Sequence, residues 1–205
     1  MRDQGLLKNC PWLHILGVSP PKVGVVLTLL QRELRKHTDA KHIQLTFDSK
    51  NPVDAVINGY RPMVVCDFDT SKWSIRFEKL DFNRASKDKR SLYELALDCK
   101  RNSASRFAPP TALGVRLKLR DLFSDVKGNQ TLPDRFKQAL LIRHNTQVYF
   151  ECFRHMYGFL SEGQLHNRPR PMGEMQLYLE TVFTSETHIT VIDELEPQLS
   201  ALIGE

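Results

Sequence analysis

A strand, a helix and a second strand are predicted within about 35 residues near the start of the sequence. Residues 12–18 (WLHILGV) predict a buried strand that stops at Ser19-Pro20-Pro21, where serine suits a helix N-cap. Apolar residues then recur at helical spacing: Val23, Val26, Leu27, Leu30 and Leu34. Residues 43–47 (IQLTF) predict the next strand. Because a β-α-β unit joins parallel strands, the sequence predicts an α/β fold.

Asp48 follows the second predicted strand directly, and Gly17 lies near the end of the first. The carboxyl ends of parallel strands are where α/β sheets and barrels bind ligands. A glycine at such an end lets a ligand or another backbone segment come close. We therefore treat Asp48 as a candidate catalytic carboxylate, with a turn residue before Lys50-Asn51-Pro52 as the plainer alternative.

Composition excludes several protein classes. With 41% hydrophobic and 26% charged residues, the chain can form a normal globular core. No apolar run approaches the ~20 residues of a membrane span, and the polar start does not resemble a signal peptide. The four cysteines are too dispersed for a zinc knuckle and suit a reduced compartment. We expect no membrane contact and a location in the cytoplasm.

The charge pattern favours a polyanionic partner. The formal net charge is +5, and basic residues crowd the middle of the chain. The candidate nucleic-acid-binding residues are Lys87, Lys89, Arg90, Lys100, Arg101, Arg106, Arg116, Lys118 and Arg120. The last three alternate with Val115, Leu117 and Leu119, which predicts a strand or ribbon with one basic face. A solvated surface without a partner is the alternative.

The rest of the chain divides into a β-rich part and a helical part. Residues 63–68 and 73–77 predict a hairpin, and residues 88–100 predict a polar helix. A long helix is predicted from Pro133 to about 163, with one face formed by Phe136, Leu140, His144, Val148, Cys152, His155 and Phe159. Residues 168–171 predict an extended linker before an amphipathic tail. We expect a domain over 1–165, with a basic insertion at about 61–130, and a helical tail over 166–205.

Three stretches, in order, resemble the carboxyl-terminal part of the tRNA-guanine transglycosylase family. Residues 16–20 (LGVSP) are similar to a strand end of that family. Phe47-Asp48-Ser49, with Pro52 and Asn58-Gly59 after it, resembles its nucleophile segment. Arg143-His144-Asn145, followed by Tyr149 and Glu162-Gly163, resembles one of its helices. The resemblance covers roughly residues 12–165.

The resemblance implies a fold and a reaction. The family forms a (β/α)8 barrel with insertions and exchanges guanine in a nucleic acid for a 7-deazaguanine base. A carboxylate attacks the sugar and forms a covalent glycosyl intermediate. Asp48 matches the nucleophile, and Leu16, Gly17, Phe47 and Ser49 are the matching substrate-binding candidates. The chain would then be the carboxyl-terminal part of such a barrel, with a β-hairpin insertion and a long C-terminal helix.

Departures from the family pattern refine these expectations. The zinc-binding cysteines are absent, so we expect no cofactor, with zinc as the alternative, and interpret His144, the residual ligand position, as a helix or core histidine. Two arginines that contact tRNA in the family are absent, which favours DNA over tRNA. The pattern is closer to phage and bacterial relatives that modify DNA, so the expected cytoplasm is bacterial or that of a phage-infected host cell. No general acid/base aspartate precedes Trp12, so we expect a partner chain to supply the remaining strands, unless the chain is a fragment or a rebuilt remnant.

Two alternative functions stay open. A non-catalytic subunit or remnant of the fold would bind nucleic acid through the segment 84–120, with Trp73 and Phe107 near it. A metal-dependent hydrolase would use His14, His144 and His155, although the last two are about three helical turns apart.

Overall fold

This computed structural model has a mixed α/β fold. The structure describes residues 7, 9–17, 21–69, 74–80, 88–101, 106–126, 129–131, 133–160 and 170–203. The chain divides into two compact units. The first unit contains Met1–Ser49, Asp69–Ser74 and Met156–Glu205, and the second contains Lys50–Phe68 and Ile75–His155. The domain boundary expected at 165/166 lies outside the described residues and stays a prediction.

The predicted β-α-β unit is confirmed in the first unit. Strand β1 (Trp12–Ile15) and strand β2 (Gln44–Phe47) pair in parallel, and helix α1 (Pro21–His37) connects them. Leu27, Leu29 and Leu34 of α1 are buried, and Leu34 packs against Ile43 and partly buried Leu45. The predicted cap at Ser19 lies outside the described residues. Helices α6 (Arg170–Thr184) and α7 (His188–Ile203) complete this unit, with α6 packed against both α1 and α7.

The prediction that residues 12–18 form a buried strand is wrong for residues 12–17, and Val18 lies outside the described residues. The strand ends at Ile15, and the Trp12 side chain is 58% exposed and that of Leu16 78% exposed. The physical reason is that, among the described residues, β1 and β2 form a two-stranded sheet, and α1 contributes its core residues to one face of that sheet. The opposite face, which carries Trp12, His14 and Thr46 by strand alternation, lacks a cover among the described residues.

The second unit is built around a small antiparallel sheet and buried helices. Strands β3 (Met63–Asp69) and β4 (Ser74–Lys79) are neighbours, as the predicted hairpin requires, and β5 (Arg106–Phe107) joins the other edge of β3. This unit also contains the helices α2 (Asn51–Ile57), α3 (Leu92–Lys100) and α4 (Leu119–Leu122). Strand β6 (Ser124–Val126) pairs with β7 (Asn129–Thr131). Leu92, Leu122 and Leu141 are fully buried in one apolar cluster.

The predicted basic ribbon at residues 115–120 is wrong. Arg116 lies in a turn, Lys118 forms a single bridge with Ser91, and Arg120 lies in α4. Leu119 and Leu122 are both buried, and their spacing of three residues requires a helical turn rather than a strand. The short alternation of basic and apolar residues was therefore not enough to distinguish a strand from a helical turn.

Helix α5 (Arg135–Gly158) is confirmed, with two corrections. His144, Val148 and Cys152 are buried on the predicted face, but Phe136 near the helix start is 72% exposed. The helix ends at Gly158 rather than near residue 163. The extended linker predicted at residues 168–171 is wrong at Arg170 and Pro171, which form the first turn of α6. Proline is tolerated there because the backbone N–H groups of a first helical turn have no partner within the helix. Arg168 and Pro169 lie outside the described residues. No described helix combines the length and apolar character needed to cross a membrane.

Candidate active site

The carboxyl ends of β1 and β2 lie side by side and carry the candidate nucleophile. The register pairs Ile15 with Phe47, so the residues that follow each strand meet at one edge. The Gly17 backbone N–H donates a hydrogen bond of 2.7 Å to Asp48 Oδ1. Gly17 has φ +73°, a left-handed backbone conformation that favours glycine. A Cβ at this position would meet nothing within 4 Å, so crowding is not the reason for glycine here. The left-handed turn directs this N–H at the carboxylate.

The Asp48 carboxylate is exposed to solvent. Within the described part of the chain, Gly17 is its one hydrogen-bond partner, and no cation pairs with it. One oxygen is therefore oriented by a backbone donor, while the group stays accessible. A carboxylate held in this way can attack an electrophilic carbon, as the sugar carbon of a glycosidic bond requires.

The other substrate-binding candidates divide between two faces. Leu16 is exposed beside Gly17 at the strand end. Phe47 is half-buried and shares a face with Leu45, whose side chain packs in the α1 core, because alternate strand residues point the same way. Ser49 is half-buried after Asp48. The structure thus brings Leu16 and Gly17 to the carboxylate edge and places Phe47 on the helix-covered face.

A polar pair that the sequence reasoning missed lies on the uncovered face of this sheet. His14 Nδ1 and Thr46 Oγ1 are 2.9 Å apart on directly paired residues, and the Trp12 ring lies 6.1 Å from the His14 ring. Thr46 precedes Asp48 by two residues, so strand alternation directs both toward one face. That spacing was the signal that could have identified Thr46.

A shallow groove in the first unit lies at the opposite end of the sheet. It has a volume of about 300 Å³ and is lined by residues that precede the two strands, including Pro11 and Ile43, and by Cys10 and His42. The amino ends of parallel strands are not where α/β enzymes place their chemistry. The groove therefore does not identify the site.

In the second unit, His144 is a hydrogen-bonded core residue, as predicted. Its Nε2 donates to the Met63 carbonyl at 2.8 Å, which leaves Nδ1 to accept from Thr111 Oγ1 at 2.9 Å. Burial lowers the pKa of His144 to about 4, so the ring is neutral at pH 7. A Cβ on Gly114 would come within 2.5 Å of Thr111 Oγ1 and 3.0 Å of His144 Cε1, so this position requires glycine.

Asn145 is a structural residue that the sequence analysis did not distinguish from its neighbour. Its Oδ1 accepts from the Met63 N–H at 2.8 Å, and its Nδ2 donates to the carbonyls of Pro52 and Arg61. The side chain is fully buried and fastens α5 to α2 and to the first residue of β3. The histidine-asparagine pair therefore holds the second unit together.

These bonds argue against the three-histidine metal site. Both ring nitrogens of His144 are already hydrogen-bonded, so neither offers a lone pair to an ion. His155 instead stacks on Phe107 with ring centroids 4.1 Å apart.

The candidate nucleic-acid-binding residues are only partly available. Lys89, Lys100, Arg101, Arg116 and Arg120 are exposed, whereas Lys87 lies outside the described residues and Lys118 is half-buried. Arg90 pairs with Asp88 and Asp98, and its guanidinium lowers the pKa of Asp88. Arg106 is held by Asp67, Glu78 and the Cys99 carbonyl. Of the exposed residues, Arg101 also pairs with Asp98 and Arg120 with Asp121. Intramolecular ion pairs thus neutralise part of the predicted basic surface.

Comparisons with known proteins provide no relative for this chain. No family model matches it, and no curated protein or solved structure matches it either. Interpretation of the site therefore depends on the strand-end geometry and on the three sequence stretches described above.

Proposed function

We propose that this chain is the nucleophile-bearing part of a nucleic-acid guanine transglycosylase, with DNA favoured over tRNA as substrate. The observation that carries the proposal is the exposed Asp48 carboxylate at the carboxyl end of a parallel strand, oriented by the Gly17 N–H at 2.7 Å. This arrangement supports a role that the order of the sequence stretches implies independently. The incoming base would be a 7-deazaguanine.

The proposed reaction has two displacement steps. An Asp48 oxygen forms a bond to C1′ of the sugar, and the bond from C1′ to N9 of guanine breaks with its electron pair leaving on the base. The departing guanine takes a proton from a general acid. The incoming 7-deazaguanine then loses a proton and attacks C1′, which releases Asp48 as a carboxylate.

The uncovered sheet face supports the need for further barrel strands. Trp12 and Leu16 are exposed beside the hydrogen-bonded pair His14–Thr46, on or next to a face that a complete barrel would turn toward its interior. We propose that a partner chain supplies these strands, together with the general acid and the base-recognising residues.

Trapping of a covalent complex tests the proposal. The tagged chain would be recovered from cells with its bound partners and incubated with guanine-containing DNA or tRNA without an incoming base. We expect a denaturant-resistant protein–nucleic acid complex that Asp48→Asn abolishes and Asp39→Asn, a change at another exposed aspartate of the first unit, preserves. Equal trapping by wild type and Asp48→Asn would refute the proposed nucleophile.

A non-catalytic nucleic-acid-binding subunit is the second candidate. The exposed residues Lys89, Lys100, Arg101, Arg116 and Arg120 favour it. Contacts with several phosphates would make the affinity for duplex DNA fall steeply as salt rises. Salt-dependent binding without any covalent complex, in wild type as in Asp48→Asn, would select this candidate.

A further inference from the structure

Three side chains of types that can bind metal ions converge between α1 and α6 within the first unit. Glu33 and His37 are four residues apart on α1 and therefore share a helical face, and Glu180 reaches them from α6. One ligand atom from each lies within 4.8 Å of those of the other two. Donor atoms around a tetrahedral zinc ion are about 3.4 Å apart, so small side-chain rotations would bring all three to one ion.

Two buried polar atoms of this cluster, Glu33 Oε2 and His37 Nε2, lack a hydrogen-bond partner in the part of the chain that the structure describes. The Glu33 side chain is only 8% exposed, and its Oε2 faces His37 Nε2 at 3.1 Å. The pair is close enough for an ion pair, yet it is not aligned as a hydrogen bond, and neither buried atom has a hydrogen-bond partner among the described residues. Burying a carboxylate oxygen without a donor is costly, and a cation between these atoms would remove that cost.

A lysine ammonium already contacts both carboxylates of the cluster, and a metal ion would have to displace it. Lys36 Nζ contacts Glu180 Oε1 at 2.6 Å and lies 3.9 Å from Glu33 Oε2, but its side chain is 54% exposed. A long exposed lysine can turn to solvent when a divalent ion takes its place. The His37 ring is stacked on Phe183 of α6, which restricts its orientation.

We propose that Glu33, His37 and Glu180 form a binding site for a divalent first-row transition metal ion of the zinc type. One imidazole nitrogen and two carboxylate oxygens are donors that zinc accepts, and three protein ligands leave a fourth position for water. The ion fastens α1 to α6. This site is separate from the proposed base exchange, and its ligands differ from the strand-end residues.

Titration with zinc chloride tests the site directly. We expect wild type, freed of metal by chelator, to bind one equivalent of Zn²⁺ and to gain thermal stability with it. Glu180→Gln should weaken binding at least tenfold and remove the thermal shift. Because Glu180 is 42% exposed, this change leaves the core filled. Glu174→Gln, on the same helix but paired with Arg170, is the matched control and should bind like wild type.

Two further variants strengthen the test. His37→Gln should also weaken binding at least tenfold. Lys36→Met should bind zinc at least as tightly as wild type, because it removes the competing ammonium. The proposal is overturned if wild type shows no saturable binding up to about 100-fold excess of Zn²⁺, or if Glu180→Gln binds less than tenfold more weakly than wild type.

Discussion

The Asp48 strand end and the His144–Asn145 pair differ in how completely their polar atoms are satisfied. His144 and Asn145 are buried, and together they form five hydrogen bonds within the second unit. Asp48 is exposed and accepts one hydrogen bond from within the described part of the chain. Both belong to the sequence stretches on which the proposed function rests. The contrast indicates that the histidine-asparagine stretch maintains structure, whereas the aspartate is available for chemistry.

Asn145→Ala should produce the largest loss of stability. It leaves the Met63 N–H and the carbonyls of Pro52 and Arg61 without their buried partner, which should cost about 3 kcal/mol in the free energy of unfolding. Urea denaturation measures this loss. The control Asn58→Ala removes an exposed side chain and should change stability by less than about 0.5 kcal/mol. Equal effects of the two changes would contradict a structural role for Asn145.

Acid should destabilise the second unit through His144. Its folded pKa of about 4 lies below the ordinary value of 6.5, so the unfolded chain binds the extra proton between these values. The contribution of His144 to the free energy of unfolding is therefore fully present above pH 6.5 and falls as the pH drops toward 4. Over that window the free energy of unfolding decreases by roughly 3 kcal/mol because of this group.

This prediction is tested by the slope of the free energy of unfolding against pH rather than by its value at one pH. His144→Gln should lower stability at pH 7 and flatten its dependence on pH between 6.5 and 4, measured by urea denaturation at several pH values. An unchanged slope would show that carboxylates, not His144, determine acid sensitivity.

Gly17→Ala should have a smaller effect on stability, and it tests the backbone conformation at the strand end that carries Asp48. A side chain at φ +73° is strained by about 1–2 kcal/mol, although no neighbouring atom would clash with it. Gly173→Ala in α6 is a matched control with equally open surroundings, and it should be neutral or stabilising by up to about 1 kcal/mol. If Gly17→Ala and Gly173→Ala lost the same amount of stability, the left-handed conformation at Gly17 would not be what favours glycine there.

The local sequence pattern predicted helices and strands better than it predicted their burial and their contacts with residues distant in sequence. The periodicity of Leu27, Leu30 and Leu34 located α1, and the strand-helix-strand order located Asp48. Burial of β1 was wrong because it depends on strands that do not pair with it among the described residues. The roles of Asn145 and Glu180 depend on contacts with residues more than eighty positions away, which no local pattern reveals.

Identification of the trapped residue tests the central claim most directly. Trypsin cleaves after Lys41 and Lys50 and releases HIQLTFDSK, in which Asp48 carries the one side-chain carboxylate. We predict that mass spectrometry of the trapped complex, after nuclease digestion, finds the sugar adduct on this peptide. We also expect Asp48→Asn to lose the adduct while its free energy of unfolding stays within about 0.5 kcal/mol of wild type. An adduct on any other peptide, or none on the trapped wild-type assembly, would contradict the account.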